Sequence, residues 1–389
     1  MNPLERAGKP LFFKLAAADH MLSGPEKSGS GRLVRVAARS LSLMQKEALV
    51  QGPDGFGWRV SSDEGAYLLG DDVAPCPLGH MTTGMAACFM QTLLQVAAEA
   101  DVELGRTTLI QDNFYTMQGS ALRGTMIGGA LPVELTLKTD AQASLADLEQ
   151  LLETAVQQAP VNSLIEQSLI SRFTLTHNGR QIKTGRVEEI TGTAPAWSEA
   201  SFDEAEVAAG DWSDLVVRNG MSPQSDEITS STGSSFSEEQ NRRLHIRGIC
   251  DIDADGVKTV EQQLFNPHGS IFHFRSDAGP VAGGQARAPD ALSFIAAGIA
   301  FCFMTQIGRY AKIARKPLTH YAIIQDLHFA TSPNGNAVAD PVETHVYLAS
   351  DADDDFARTA LDMAEQTCFL HALARSRLNV NTRVARRQS

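Results

Sequence analysis

The sequence predicts an α+β fold used twice in tandem. Three observations carry this: an internal repeat, a long apolar helix inside the repeated segment, and strands that bracket helices without strict alternation. Residues 62–90 align without a gap to residues 276–304 at an offset of 214, with 12 of 29 positions identical. Unrelated segments of ordinary composition share about two. The same offset carries Ile110-Gln111-Asp112 onto Ile324-Gln325-Asp326, and an offset of 209 carries Pro132-Val133-Glu134 onto Pro341-Val342-Glu343. The chain therefore divides into a first unit at 1–190, a linker at 191–240 and a second unit at 241–389. Each unit is expected to be an antiparallel sheet with a long buried central helix, the two forming a pseudo-dimer within one chain.

In the first unit, a strand at Trp58–Ser61 leads through a Gly/Asp turn region to a helix near Leu78–Ala100 whose apolar residues recur all round, the mark of a central helix. Alternation of Val133, Leu135 and Leu137 marks a strand with one buried face. Leu148, Leu151, Leu152 and Val156 recur at helical spacing within Leu145–Gln158, giving an amphipathic second helix. Phe173–Thr176 runs into Asn178-Gly179, a hairpin signal. The second unit repeats the order at Ile271–Phe274, Leu292–Ala314, Val342–Leu348, Phe356–Ala374 and Leu378–Val384. Between the units, 191–240 holds ten acids against the single base Arg218 and is rich in Ser, Thr and Gly, the composition of a linker. Its Trp197, Phe202, Trp212 and Leu215–Val217 leave open whether parts of it dock on a unit or the whole is a tether.

Composition narrows the function classes. The 389 residues are 43% apolar and 20% charged, with a net charge of −13. A globular protein fits these numbers, and an acidic one lacks the basic face that duplex nucleic acid or an anionic membrane requires. Five cysteines are too few and odd in number for a secreted disulfide framework, and no export signal is evident, so a cytoplasmic setting is expected. The longest nearly uncharged run, Ala291–Met304, is shorter than a membrane span.

Overlaying the units isolates the chemistry. Cys88 and Cys302 share one position in the central helix, each followed by Phe-Met and preceded four residues earlier by a glycine, Gly84 or Gly298. A lone thiol in an apolar helix is more often an inert packing residue. Cys368, in the second helix of the second unit, has Ala159 as its counterpart, so only the second unit offers two thiols. A thiolate oxidised to sulfenic acid is closed to a disulfide by a second thiol within reach, which makes Cys302 and Cys368 the candidate pair. Arg309, seven residues after Cys302, falls on the same helix face and leans toward the thiol; its counterpart is Gln95. A cation there would lower the thiol pKa, although Arg309 could equally pair with the helix end or an acid. Cys368-x-x-His371 and Cys76-x-x-x-His80 are each short of the ligands a metal site needs. No P-loop, dinucleotide fingerprint or Ser-His-Asp motif is present.

A Pro-x-x-Leu stretch opening a buried helix, then Ala-Ala-Cys-Phe, with a later helix carrying a second Cys, resembles the OsmC/Ohr family of osmotically inducible and organic hydroperoxide resistance proteins. The resemblance covers most of 31–189 and 241–386 and is most specific at 63–90 and 277–304. It implies an α+β fold, an intertwined dimer with sites at the interface, and reduction of small apolar hydroperoxides by a peroxidatic and a resolving cysteine assisted by an Arg and a Glu. Cys302 matches the peroxidatic position and Cys368 the resolving one. Cys88 matches the peroxidatic position of a unit in which Ala159 replaces the resolving residue. Asp290 follows Pro289 where the family has Pro-Glu, two residues further from the thiol than usual; the aligned residue in the first unit is Cys76. Arg35 and Arg247 lie in candidate first strands as possible family arginines. The resemblance implies no bound cofactor and an external dithiol, lipoyl-type reductant. The competing class is a stress-associated binding or structural protein on a decayed scaffold of this kind.

Overall fold

A computed structural model of the chain describes residues 1–17, 31–224, 236–237 and 239–387. In the first half the main elements are β1 (Arg32–Ser40), β2 (Lys46–Gln51), β3 (Gly57–Ser62), α1 (Pro77–Glu99), β4 (Thr107–Ser120), β5 (Val133–Thr139), α2 (Leu145–Gln158), α3 (Asn162–Glu166) and β6 (Ser171–His177). The second half contributes β7 (Glu239–Ile252), β8 (Lys258–Asn266), β9 (Ser270–Ser276), α4 (Ala291–Ile313), β10 (Leu318–Thr331), β11 (Val342–Ser350), α5 (Asp354–Thr367), α6 (Phe369–Arg375) and β12 (Val380–Arg386).

The termini of these helices follow from their sequences. Pro77 opens α1 at the first turn, where its missing N–H costs nothing. Asp290 caps α4 by accepting from the Leu292 and Ser293 N–H groups, while Ser144 and Asp353 cap α2 and α5. Asn178 and Gly179 both take positive φ in the turn after β6, as a tight hairpin requires. The single helix expected over Phe356–Ala374 is instead two, because Cys368 adopts extended backbone at ψ 122° and breaks it into α5 and α6.

Each sheet mixes the halves. The first runs β3-β2-β1-β10-β11-β6 and the second β9-β8-β7-β4-β5-β12, with short strands added at the edges. Thus β1 of the first half pairs antiparallel with β10 of the second, and β7 of the second with β4 of the first. The parallel partners are β11 with β6 and β12 with β5. Ion pairs pin both junctions: Arg35 grips Asp326 at 2.6–2.7 Å, and Arg247 grips Asp112 at 2.8–2.9 Å with His245 alongside. Arg35 and Arg247, considered above as thiol-activating, are strand clamps.

The central helices α1 and α4 pack on each other, α1 also lying on β7 and β8 and α4 on β10 and β1. One hydrophobic core runs through both halves. A Cβ on Gly84 would come 2.7 Å from the Ala291 carbonyl oxygen, and one on Gly298 would come 2.8 Å from the Met81 nitrogen. The paired glycines are therefore where the two helices cross most closely. Helix α4 is long and apolar enough to span a membrane, but 94% of its most apolar stretch is buried inside the protein.

The described part of the acidic stretch docks. Phe202 is buried under Arg39 and beside Trp197, which packs on Tyr347, and Val216–Met221 forms an edge strand along β9. Residues 225–235 and 238 of that stretch lie outside the described residues.

Candidate active site

Cys302 sits in the middle of α4 among fully buried phenylalanines, and the break in the chain at Cys368 brings the second thiol to it. The two sulfurs are hydrogen-bonded to each other, and all five cysteines are free thiols. Because Cys368 is extended, the first N–H groups of α6 turn back toward the pair: those of Phe369 and Leu370 reach the Cys302 sulfur, and that of His371 reaches the Cys368 sulfur at 3.5 Å. The His371 ring packs against Phe303 and Phe173. The His371 backbone N–H thus meets the Cys368 sulfur, and its side chain acts on the same sulfur.

Burial, together with the hydrogen bond to Cys368, holds the Cys302 thiol well above the ordinary thiol range, with the Leu370 and Phe369 N–H groups acting against it. Burial raises Cys368 as well, but the hydrogen bond from Cys302 and the neighbouring His371 prevail and bring it well below. Acidity alone would make Cys368 the nucleophile. Access runs the other way, since Cys302 lines a small cavity whose wall does not include Cys368. The cavity holds about 30 Å³, room for about two waters.

Its wall joins the halves. Glu64, Tyr67 and Cys76 come from the loop and helix start of the first half, and Arg242, Leu264, Cys302, Thr305 and Phe369 from the second. The Glu64 carboxylate accepts from Tyr67 Oη at 2.8 Å and from Thr305 Oγ1 at 3.4 Å, one turn beyond Cys302. Burial pushes Glu64 up to about 7, with Lys46 and Tyr67 opposing. Burial likewise lowers the fully enclosed Lys46 to about 8, resisted by Glu64, Asp63 and Cys302. Arg242 is lowered by burial against the pull of Glu64 and Tyr67. The Tyr115 hydroxyl, buried without a hydrogen-bond partner, lies in the field of Cys302, Cys368 and Cys76.

Residues 283–383 match the family model for OsmC-like protein. The second half carries an OsmC-like domain. Among solved structures, an OsmC-like hydroperoxide resistance protein from Jannaschia sp. CCS1 aligns at 20% identity over 31% of this chain and 79% of that one, with a TM-score of 0.20. No curated protein matches the chain.

The match spans Asp290, Cys302, Arg309 and Cys368, but the structure does not gather all four. Asp290 begins the helix on which Cys302 sits, about 18 Å away along its axis, so it cannot touch that thiol. It lies instead beside Cys88, in a cleft of about 740 Å³ that also holds Arg32, Gln91, Lys258, Ala278 and Phe329. Arg309 is buried and directed at Gln306 Oε1 (3.3 Å) and Met126 Sδ (3.2 Å), and it does not line the cavity at Cys302. Burial and the nearby Arg242 lower it to about 9. The cation at the cavity wall is Arg242, a residue no sequence pattern marked.

Cys88 repeats part of the arrangement. Burial pushes its thiol up to about 12, while the Val161 N–H and Arg32 pull down and Asp290 pushes further. Val161 corresponds to Leu370 at offset 209, so the two central thiols meet equivalent backbone amides. Ala159 has φ −66° and ψ 124°, against −69° and 122° for Cys368. The first half retains the backbone of the thiol pair without the second sulfur. Among the described residues no group of three metal-ligating side chains occurs.

Proposed function

We propose that this chain is a thiol-dependent peroxidase of organic hydroperoxides, built as a tandem pair of OsmC-like units in which one site is complete. The observation that carries the reading is the hydrogen-bonded Cys302–Cys368 pair with only Cys302 at a cavity wall. The OsmC-like match over that pair supports it.

The Cys302 thiolate attacks the distal peroxide oxygen, the O–O bond breaks, and the alkoxide leaves as alcohol after taking a proton. Cys302 is then a sulfenic acid, and Cys368 displaces its hydroxyl as water to close the disulfide. An external dithiol returns both sulfurs to thiols and leaves as its own disulfide. Leu68, Leu78, Leu244, Leu264 and Phe369 give the cavity an apolar wall suited to an alkyl or aryl tail, and these side chains must part to admit one.

Treatment with cumene hydroperoxide followed by thiol titration tests the reading. Wild type is expected to lose two thiols per chain and form a Cys302–Cys368 disulfide. Cys302→Ser should lower peroxide consumption by about 10³-fold or more, the scale on which loss of a nucleophile is felt. Cys368→Ser should halt at a sulfenic acid that dimedone traps, and Cys88→Ser should keep turnover. Two thiols still free at substrate excess would sink the proposal.

A further inference from the structure

The two central helices end alike but carry opposite charge. Each closes on a residue in the left-handed conformation, Asp101 at φ 54° and Arg315 at φ 55°. Asp101 and Val102 donate to the carbonyls of Ala98 and Ala97, as Arg315 and Lys316 donate to those of Lys312 and Ala311. At the offset of 214 that aligns the halves, Ala98, Asp101 and Val102 stand where Lys312, Arg315 and Lys316 stand. A cation at a helix C-terminus complements the dipole, yet the first half closes the same cap with Glu99 and Asp101, so the turn does not require the three bases.

The bases border a cavity. It holds about 460 Å³ between the end of α4, the start of β10 and the turn after β1, within the roughly 300–1,000 Å³ of small-molecule sites. Gly308 lines it where the first half has Leu94, and the Tyr321 hydroxyl beside it donates to the Leu43 carbonyl at 3.1 Å. A Cβ at Gly308 would come 2.7 Å from that hydroxyl and displace Tyr321. Lys312, Arg315 and Lys316 are exposed in the wall; no acidic side chain lines the cavity, and among the described residues no acid pairs with any of the three. Lys312 rests over the Phe236 ring, 5.5 Å from its centroid. Ser40 accepts from the Tyr321 N–H and Ser42 from the Gln45 N–H, each at 3.2 Å, so both hydroxyls keep their own protons to donate. Leu41, Leu43, Pro317 and Leu318 supply the apolar part of the wall.

We propose that this cavity binds a small phosphorylated organic molecule, its phosphate held by Lys312, Arg315 and Lys316 with the Ser40 and Ser42 hydroxyls, and its organic part laid against Leu41, Leu43 and Pro317. Three cations and two hydroxyl donors match a head with three oxygens and more than one negative charge better than the two oxygens and single charge of a carboxylate. The cavity shares no wall residue with the one at Cys302, so the inference stands apart from the peroxidase reading. Because the cations are exposed, affinity falls as salt rises.

Calorimetric titration of the whole chain at low salt, with phenyl phosphate and with inorganic phosphate, tests this. Phenyl phosphate should saturate and bind about tenfold more tightly than inorganic phosphate, the gain from burying its ring. The decisive variant is Lys312→Ala/Arg315→Asp/Lys316→Val, which gives α4 the residues that already close α1; Asp is at ease in the left-handed region. It should weaken phenyl phosphate binding by about 10²-fold or more, since each charge-assisted bond lost is felt as about tenfold. Lys316→Val alone, expected to weaken binding about tenfold, decides the matter if the triple variant does not fold. Wild type that binds neither probe, wild type that binds both equally, or variants that bind as wild type does would each overturn the proposal.

Discussion

Cys302 and Cys88 occupy one position in two copies of one helix, yet their surroundings are opposite. Cys302 has a second thiol in hydrogen-bond contact and a cavity of about 30 Å³; Cys88 has an alanine in that place and a cleft of about 740 Å³. A sulfenic acid formed in the closed site meets Cys368 before any external thiol. One formed at Cys88 would face room for a small molecule and no internal partner. The identities shared by the halves lie mostly outside this difference. Asp63 and Asp277 each collect loop N–H groups, Gly70 and Gly284 each pass within about 2 Å of Cβ clearance from a carbonyl, and Gly84 and Gly298 sit at the helix crossing. The two aligned segments share backbone scaffolding and one thiol; they differ in the groups around that thiol.

The comparison is broken most completely by giving the first half its missing sulfur. Ala159 already has the dihedral angles of Cys368, and the Val161 N–H already points at the Cys88 sulfur. Ala159→Cys in a Cys302→Ser background should therefore make a hydroperoxide-dependent disulfide to Cys88, seen as a new cross-linked peptide. Its formation would show that Ala159 alone separates the two sites. If Cys88 is oxidised further to sulfinic acid, the backbone match does not bring the sulfurs together. If Cys88 is untouched, the Asp290–Arg32 surroundings do not activate it.

Access to the thiols gives a smaller contrast. A bulky maleimide fits the cleft at Cys88 and not the cavity at Cys302, so at equal pH Cys88 should label faster, by about tenfold, in peptide mapping of native protein. Both thiols are raised by burial, so the contrast measures access more than acidity. Equal rates would mean that the wall of Leu78, Leu244 and Phe369 opens as readily as the cleft.

Much of this was legible in sequence. The repeat located both central helices to within a residue or two, and the unequal counterpart at Ala159 singled out Cys302 and Cys368, two thiols that the fold brings together. The cavity wall was not legible. Glu64 and Arg242 share a cavity wall with Cys302 only because each sheet exchanges strands between halves and each central helix faces the other half's loop. A reading within one unit looked for the carboxylate at Asp290, which the fold places in the cleft beside Cys88. The break at Cys368 was hidden because Phe356–Ala374 keeps helical apolar spacing through it; local extended backbone leaves no periodicity signal. The overlay held one usable hint: Glu64, aligned with Ala278, is a charged residue in only one copy of the best-matched segment.

The smallest effect concerns Tyr115, whose place in the other half is taken by Phe329. Its hydroxyl is enclosed without a hydrogen-bond partner, an arrangement that costs roughly 1–3 kcal/mol when nothing satisfies the group. Tyr115→Phe makes the Cys302 surroundings resemble those of Cys88 and keeps the ring contact with Phe369. If the hydroxyl is truly unsatisfied, the variant should gain about 1 kcal/mol in urea unfolding monitored by fluorescence. A loss of similar size would mean that an ordered water bridges the hydroxyl to the thiol pair. The two sites would then differ in bound solvent as well as in sulfur, and oxidation of Cys302 should slow in the same variant, because that water would be lost from beside the nucleophile.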